Sequence, residues 1–351
     1  MTAESTHPPA GATTPSSPEA FAAFVVERNG DSVDQGVREL SADDLPAGDV
    51  LIRVDWSAIN YKDGMVAQPG NRVARISPLI PGVDLVGTVV ASGRDAGDDG
   101  GFDGQPVIVH GYDLGVAHHG GFAEYARVPA DWVVPLPEGL SPRHAAIIGT
   151  AGFTAALSLR RLEIHGLTPD QGPVLVTGAS GGVGSMSVAL LASRGYEVVA
   201  STGKDSEHPY LTGLGAAEVI GRDLGADPAR VLGAERWAGA VDCVGGQTLA
   251  AVLRTLRYGG GVAASGLTGG NALETSVYPF IVRGVALLGI DSVQTPIAER
   301  RTVWSQLADV FDAAALDAMA ADEIGLQQLP DALSAIIAGG VRGRILVRPS
   351  S

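Results

Sequence analysis

Val174-Leu-Val-Thr-Gly178-Ala-Ser-Gly181-Gly182-Val-Gly184-Ser-Met-Ser-Val-Ala-Leu-Leu191 is the stretch on which the reading of this chain turns. Val174 to Thr177 has the look of a buried strand, and it runs into glycines spaced G-x-x-G-x-x-G with a helical pattern directly behind them. Glycines at such a turn let an anion reach backbone N–H groups that a Cβ would screen, and the helix beginning there presents the positive end of its dipole. Strand, glycine turn and helix together predict a dinucleotide pyrophosphate site. Gly181, Gly182 and Gly184 would let it approach the backbone there.

Downstream, the alternation continues. Strands are expected at 197–200, 218–220, 240–244, 261–265 and 285–290, with helices at 208–214 and 249–257, and an Ala- and Leu-rich helix over 143–162 leads into the series. Regular β/α alternation of this length predicts a doubly wound parallel Rossmann sheet. Upstream the pattern is different. Short apolar runs at 21–27, 49–56, 87–91, 105–110 and 123–128 are separated by spacers too short for crossover helices, which predicts a largely antiparallel, barrel-like domain. Helices near 299–315 and 329–338 and a strand at 344–347 have no place in the parallel sheet, so they are assigned back to the first domain. The expected organisation is a Pro-rich disordered tail (1–20), a first domain (21–147 with 291–351) and a nucleotide-binding domain (148–290).

Composition narrows the function. The chain has 351 residues, a formal charge of −15, and acids scattered along its length, a field that repels nucleic acid and anionic lipid. No apolar stretch approaches the ~20 residues that cross a bilayer, and no signal-peptide pattern opens the sequence, so a cytoplasmic protein is expected. The single cysteine, Cys243, lies in the parallel-sheet region and cannot serve a zinc site in the first domain. His118 and His119 are adjacent without a third ligand nearby and read as a loop pair, so no metal is expected. A short-chain dehydrogenase would need Tyr-x-x-x-Lys, and neither Lys62 nor Lys204 has a tyrosine four residues before it.

All other basic residues are arginines, which makes the position of Lys204 informative. It follows the second strand of the parallel series, where an NAD site usually carries an acid for the ribose 2′-hydroxyl. Ser201, Gly203 and Lys204, with Arg222 after the third strand, instead offer donors suited to a 2′-phosphate, and so predict NADPH.

Ordered segments then carry a family resemblance: Asn60-Tyr-Lys-Asp63, Pro81-Gly-Val-Asp84, Gly120-Gly-Phe-Ala-Glu124, Ile148-Gly-Thr-Ala-Gly-Phe-Thr-Ala155, the glycine turn, and Leu288-Gly-Ile-Asp-Ser-Val293. Together they resemble the zinc-free, quinone-oxidoreductase-like branch of the medium-chain dehydrogenase/reductase superfamily, nearest to the NADPH-dependent acrylyl-CoA reductases. The resemblance implies a GroES-like first domain completed by the C-terminal segment, an active site between the domains, and a homodimer. It further implies Tyr61 and Asn60 as catalytic residues, with the Tyr61 hydroxyl as proton donor or oxyanion partner, or its ring simply packed on the nicotinamide. Thr150, Thr154, Thr177, Ser180, Val183, Ser185, Met186, Ser187, Asp205, Ser206, Val244, Gly245, Gly266, Leu267, Ile281, Ser292 and Arg344 would join the cofactor contacts. Arg75 and Arg283 are candidates for the phosphates of an acyl-CoA substrate. Lys62 and Asp63 are expected to form a structural pair, and Asp84 to be hydrogen-bonded within its turn. Reduction of a quinone or a free alkenal by the same cleft, or NADPH binding without catalysis, are the alternatives.

Overall fold

The computed structural model describes residues 18–93, 101–225, 227 and 229–351; residues 1–17 of the expected tail lie outside it. The chain begins with an antiparallel hairpin of β1 (Phe21–Asn29) and β2 (Ser32–Leu40). β2 is not evident in the sequence because Ser-Val-Asp-Gln-Gly-Val-Arg-Glu-Leu leaves both of its faces largely polar, and the strand is only half-buried. Next come β3 (Val50–Ala58), α1 (Tyr61–Val66), β4 (Asp84–Ser92), β5 (Pro106–His110), β6 (Tyr125–Val128) and β7 (Val134–Pro135). β3 pairs antiparallel with β4 and β6, β4 with β5, and β5 with β7, as expected for short strands joined without crossovers.

α2 (Pro142–Ile164) leads into the second sheet. Ser141 caps it by accepting from the His144 N–H at 3.1 Å, and Pro142 occupies its first turn, where a missing N–H costs nothing. The helix breaks at Gly149, whose φ of 46° lies in the left-handed region. A Cβ there would also lie 2.6 Å from Asp84 Oδ2, so both backbone angle and space require glycine.

β8 (Val174–Thr177), α3 (Gly182–Ser193), β9 (Val198–Ser201), α4 (His208–Gly213), β10 (Glu218–Ile220), β11 (Trp237–Asp242), α5 (Gly246–Thr255), β12 (Leu256–Ala264), α6 (Tyr278–Arg283) and β13 (Ala286–Gly289) follow. Their strands form one parallel sheet in the order β10-β9-β8-β11-β12-β13. This is the doubly wound order, and its direction reverses between β8 and β11. Alternation along β8 explains its unbroken apolar run. Val174 and Val176 join the core shared with α2 and α3, while Leu175 joins the core on the other face with Leu253 and Val262.

The expected helix near 299–315 is two: α7 (Ile297–Val310) and α8 (Ala313–Met319), separated where Asp312 caps α8 by accepting from Ala315 N–H at 2.7 Å. β14 (Ala320–Ile324), another polar strand missed in the sequence, α9 (Leu329–Ile337) and β15 (Arg344–Val347) complete the chain. β15 pairs parallel with β14 and antiparallel with β3, so the C-terminus extends the first sheet to the order β14-β15-β3-β4-β5-β7.

Candidate active-site cleft

A cleft of about 840 Å³ opens at the switch point between β8 and β11 and is roofed by α1, α9 and the loops after β5 and β13. This is where ligands of open α/β sheets bind, outside the carboxyl ends of the strands. Of the residues singled out in the sequence, it gathers Asn60, Tyr61, Thr150, Thr154, Thr177, Ser180, Gly181, Gly182, Val183, Gly184, Ser201, Gly203, Lys204, Arg222, Val244, Gly266, Leu267, Ser292 and Arg344.

The floor is the start of α3. No side chain caps this helix, and a Cβ on Gly184 would lie 2.3 Å from the Gly178 carbonyl, so the turn is a cradle of bare backbone. Such a start fits a pyrophosphate. It is braced from below by Asp242, fully buried, which accepts from Thr177 Oγ1 at 2.6 Å and from Gly245 N–H at 2.8 Å. Burial raises the Asp242 carboxyl above the usual range, and those two donors work against the rise.

Beyond the turn lie the cations. The Arg222 guanidinium crosses Gly203 so closely that a Cβ there would meet its Nε at 2.1 Å. Lys204 Nζ donates to the Val341 carbonyl at 3.0 Å, linking the β9 loop to the C-terminal segment. Thr202, not singled out in the sequence, holds this loop: its hydroxyl accepts from Lys204 N–H and lies 3.2 Å from Ser180 Oγ.

The opposite end is organised around buried Asp84. Its Oδ1 accepts from Thr150 N–H at 2.8 Å and from Thr150 Oγ1, and its Oδ2 accepts from Asn60 Nδ2 at 2.8 Å and Arg344 Nη2 at 3.0 Å. Asp84 thus reaches well beyond its turn. Arg344 also donates to Asn60 Oδ1, Ile59 O and Ile147 O, so the guanidinium expected among the cofactor contacts is committed to this knot. Asn60 has both ends of its amide engaged, which makes it a brace for its neighbour Tyr61. Tyr61 opens α1 with its side chain on the cleft. Lys62 and Asp63 do not pair. Asp63 is buried and accepts from the N–H groups of Asn60, Gly82 and Val83, while Lys62 lines the cleft. Burial pushes the Asp63 carboxyl up to about 7 despite those donors.

Several expected contacts lie elsewhere. Ser185, Met186 and Ser187 are buried, Met186 in the core and the two serine hydroxyls donating to the carbonyls of Ala179 and Val183, and Gly245 packs under the 266–270 loop. Asp205 and Ser206 stand outside the lining on an exposed turn. Ile281 is 72% exposed on α6. Arg283 donates to the carbonyls of Arg254, Leu256 and Gly233 beside Glu235, which ties it to the far side of the parallel sheet. Arg75 pairs with Asp113. His118 Nδ1 lies 2.9 Å from the His119 carbonyl, and His119 Nδ1 accepts from Ile80 N–H. Burial pushes the Cys243 thiol up to about 12, so it is un-ionised at neutral pH.

Comparison with known proteins fits this architecture. Residues 46–138 match the family described as the alcohol dehydrogenase GroES-like domain, and residues 182–312 match the zinc-binding dehydrogenase family. The chain belongs to the medium-chain dehydrogenase/reductase superfamily and is an oxidoreductase. Within it, the chain is 47% identical to the acrylyl-CoA reductase AcuI of Ruegeria pomeroyi, over 93% of this chain and 98% of that one. It is 48% identical, with the same coverage, to YhfP of Bacillus subtilis, which carries a quinone oxidoreductase name and whose structure with NAD bound superposes with a TM-score of 0.89 over 94% of this chain and 99% of that one. The structure of YhdH from Escherichia coli K-12 with bound NADPH is 45% identical and superposes with a TM-score of 0.88, over 93% and 99% of the two chains.

Proposed function

We propose that the protein is an NADPH-dependent reductase of short enoyl-CoA thioesters, with acrylyl-CoA as first candidate and propionyl-CoA as product. The observation that carries the cofactor assignment is the pair of cations, Lys204 and Arg222, at the end of β9 and beyond β10, where an NAD site would carry an acid. Bound across the cleft, NADPH would supply a hydride to Cβ of the enoyl thioester, leaving an enolate that takes a proton at Cα. The bare start of α3 would hold the pyrophosphate. Val244, Gly266 and Leu267 would bound the ribose and ring, and Thr150, Thr154, Ser292 and Tyr61 would face the reacting end. For a conjugated thioester the protein's main tasks are alignment and donors to the carbonyl oxygen. Tyr61, braced through Asn60, is the side chain on which we place the second task.

The chemistry we propose uses no zinc. Both oxygens of Asp84 are filled by N–H and O–H donors, one from a guanidinium, so this carboxylate has no lone pair to offer a metal. Among the described residues no three His, Cys, Asp or Glu side chains converge.

We also propose the domain division 21–147 with 291–351, and 148–290; the kink at Gly149 falls beside that boundary. A homodimer is proposed through β13, one of the two edge strands of the parallel sheet, beside exposed Val277, Ile281, Val282 and Leu287. A sedimentation mass twice the 35.8 kDa of the chain is expected, and a monomer at micromolar concentration would refute it. Among the described residues no helix is long and apolar enough to cross a membrane, and a cytoplasmic location is our reading.

The test is NADPH oxidation with acrylyl-CoA, crotonyl-CoA, a simple quinone or no acceptor. Turnover with the thioesters is expected. Turnover with the quinone alone would favour a quinone reductase, and binding without turnover a cofactor sensor.

A further inference from the structure

Arg300, in the first turn of α7, is 0% exposed, yet the groups it donates to are neutral. Its Nη2 donates to the carbonyls of Ser292 at 3.2 Å, Val293 at 3.1 Å and Thr295 at 3.4 Å. Its Nη1 lies 3.1 Å from His110 Nε2, and the guanidinium stands over the rings of Tyr112 and Phe153 at 4.7 and 5.0 Å. Burying a cation without a carboxylate costs several kcal/mol, more than a hydrophobic residue of similar volume would. Fold stability alone therefore gives no reason for it, but its placement does.

The three carbonyls belong to one loop, and all turn inward onto the one guanidinium. Turned that way, the loop presents Asp291, Ser292 and Val293 to the cleft. The loop is tied a second time: Val293 N–H donates to Asp291 Oδ1 at 2.8 Å, and Thr295 Oγ1 donates to the Asp291 carbonyl at 2.8 Å. Tyr112 N–H donates to the Val293 carbonyl at 2.8 Å, and Tyr112 holds a left-handed φ of 50°, rare for a non-glycine residue. The same guanidinium reaches the other wall through His110. Trp304 Nε1 donates to the same His110 Nε2 at 2.8 Å, so the one acceptor nitrogen of a neutral ring faces two donors, and burial with the Arg300 charge holds the ring neutral. His110 Nδ1 lies 3.4 Å from Thr150 Oγ1, the hydroxyl bound to Asp84.

We propose that Arg300 is a positioning residue that sets the Asp291–Thr295 wall of the cleft against the Thr150 wall, and thereby fixes the distance over which hydride moves. This rests on the cleft being a hydride-transfer site. The test measures kcat, KM for the acceptor, Kd for NADPH and the primary isotope effect with 4-deuterated NADPH, in Arg300→Met, Arg300→Lys and Thr295→Val, with the folded fraction of each.

A misplacement near 1 Å costs about 100-fold, so Arg300→Met should lose about that in kcat, and Thr295→Val about tenfold. The isotope effect should rise in both as hydride transfer becomes limiting, with Kd for NADPH changed by less than about twofold because the phosphate end sets it. Arg300→Lys should resemble Arg300→Met, since one ammonium cannot span three carbonyls and a ring. Rates that follow only the folded fraction, with an unmoved isotope effect, would overturn the proposal. Should Arg300→Met not fold, Thr295→Val decides alone: an unchanged rate and isotope effect would overturn it. With a quinone as the only working acceptor the isotope response would still be expected, which separates failure of the substrate reading from failure of this one.

Discussion

Replacing Lys204 and Arg222 together by glutamate and serine is expected to reverse the cofactor preference. Each charge-assisted hydrogen bond to a 2′-phosphate contributes about 1.5–3 kcal/mol, so losing two lowers the NADPH-to-NADH ratio of kcat/KM by a factor of about 100 or more. The glutamate adds repulsion toward the phosphate and an acceptor for a free 2′-hydroxyl, which raises the NADH term. Lys204→Glu alone should give the larger share, because Lys204 sits on the β9 loop itself. Its ammonium donates to the Val341 carbonyl, so the substitution should also loosen the C-terminal segment there. A ratio unchanged in the double variant would mean that the 2′-phosphate is bound elsewhere. YhfP makes this test informative, since its structure holds NAD on the same fold.

Arg344→Met is expected to have the largest effect on stability. It removes four donated contacts from one buried knot and leaves Asp84 with a charge and no counter-ion. Breaking a buried pair on one side typically costs about 3–5 kcal/mol. Activity should fall with it, because Asn60 loses the donor that orients its amide beside Tyr61. Adding Asp84→Asn should return part of the loss, as the second substitution removes the stranded charge. Equilibrium unfolding in urea of the single and double variants checks this. Strict additivity of the two losses would show that the residues are not coupled.

Where the sequence pattern was periodic it could be read directly. The parallel sheet followed from apolar runs alternating with helical ones, and the phosphate turn from glycines whose local geometry needs no distant partner. β2 and β14 were not legible because their strand character comes from pairing and not from an apolar face. Side-chain commitments at long range were also hidden. Nothing near Arg344 or Arg283 in sequence announces that one is held by Asp84, 260 positions away, and the other by the carbonyls of Gly233, Arg254 and Leu256. Arg300 and His110 were missed for the same reason: their partners are rings and carbonyls, which leave no charge pattern. Lys62 beside Asp63 suggested a pair, but neighbours in a helix do not face each other, and each turned to its own side.

We place in this cleft the transfer of hydride from NADPH to Cβ of an enoyl thioester. Its most direct test is the product formed from acrylyl-CoA with 4-deuterated NADPH, analysed by mass spectrometry and NMR. Propionyl-CoA with a single deuterium at Cβ and a solvent proton at Cα is expected. Deuterium at Cα, or no reduced thioester while a quinone is turned over, would contradict it.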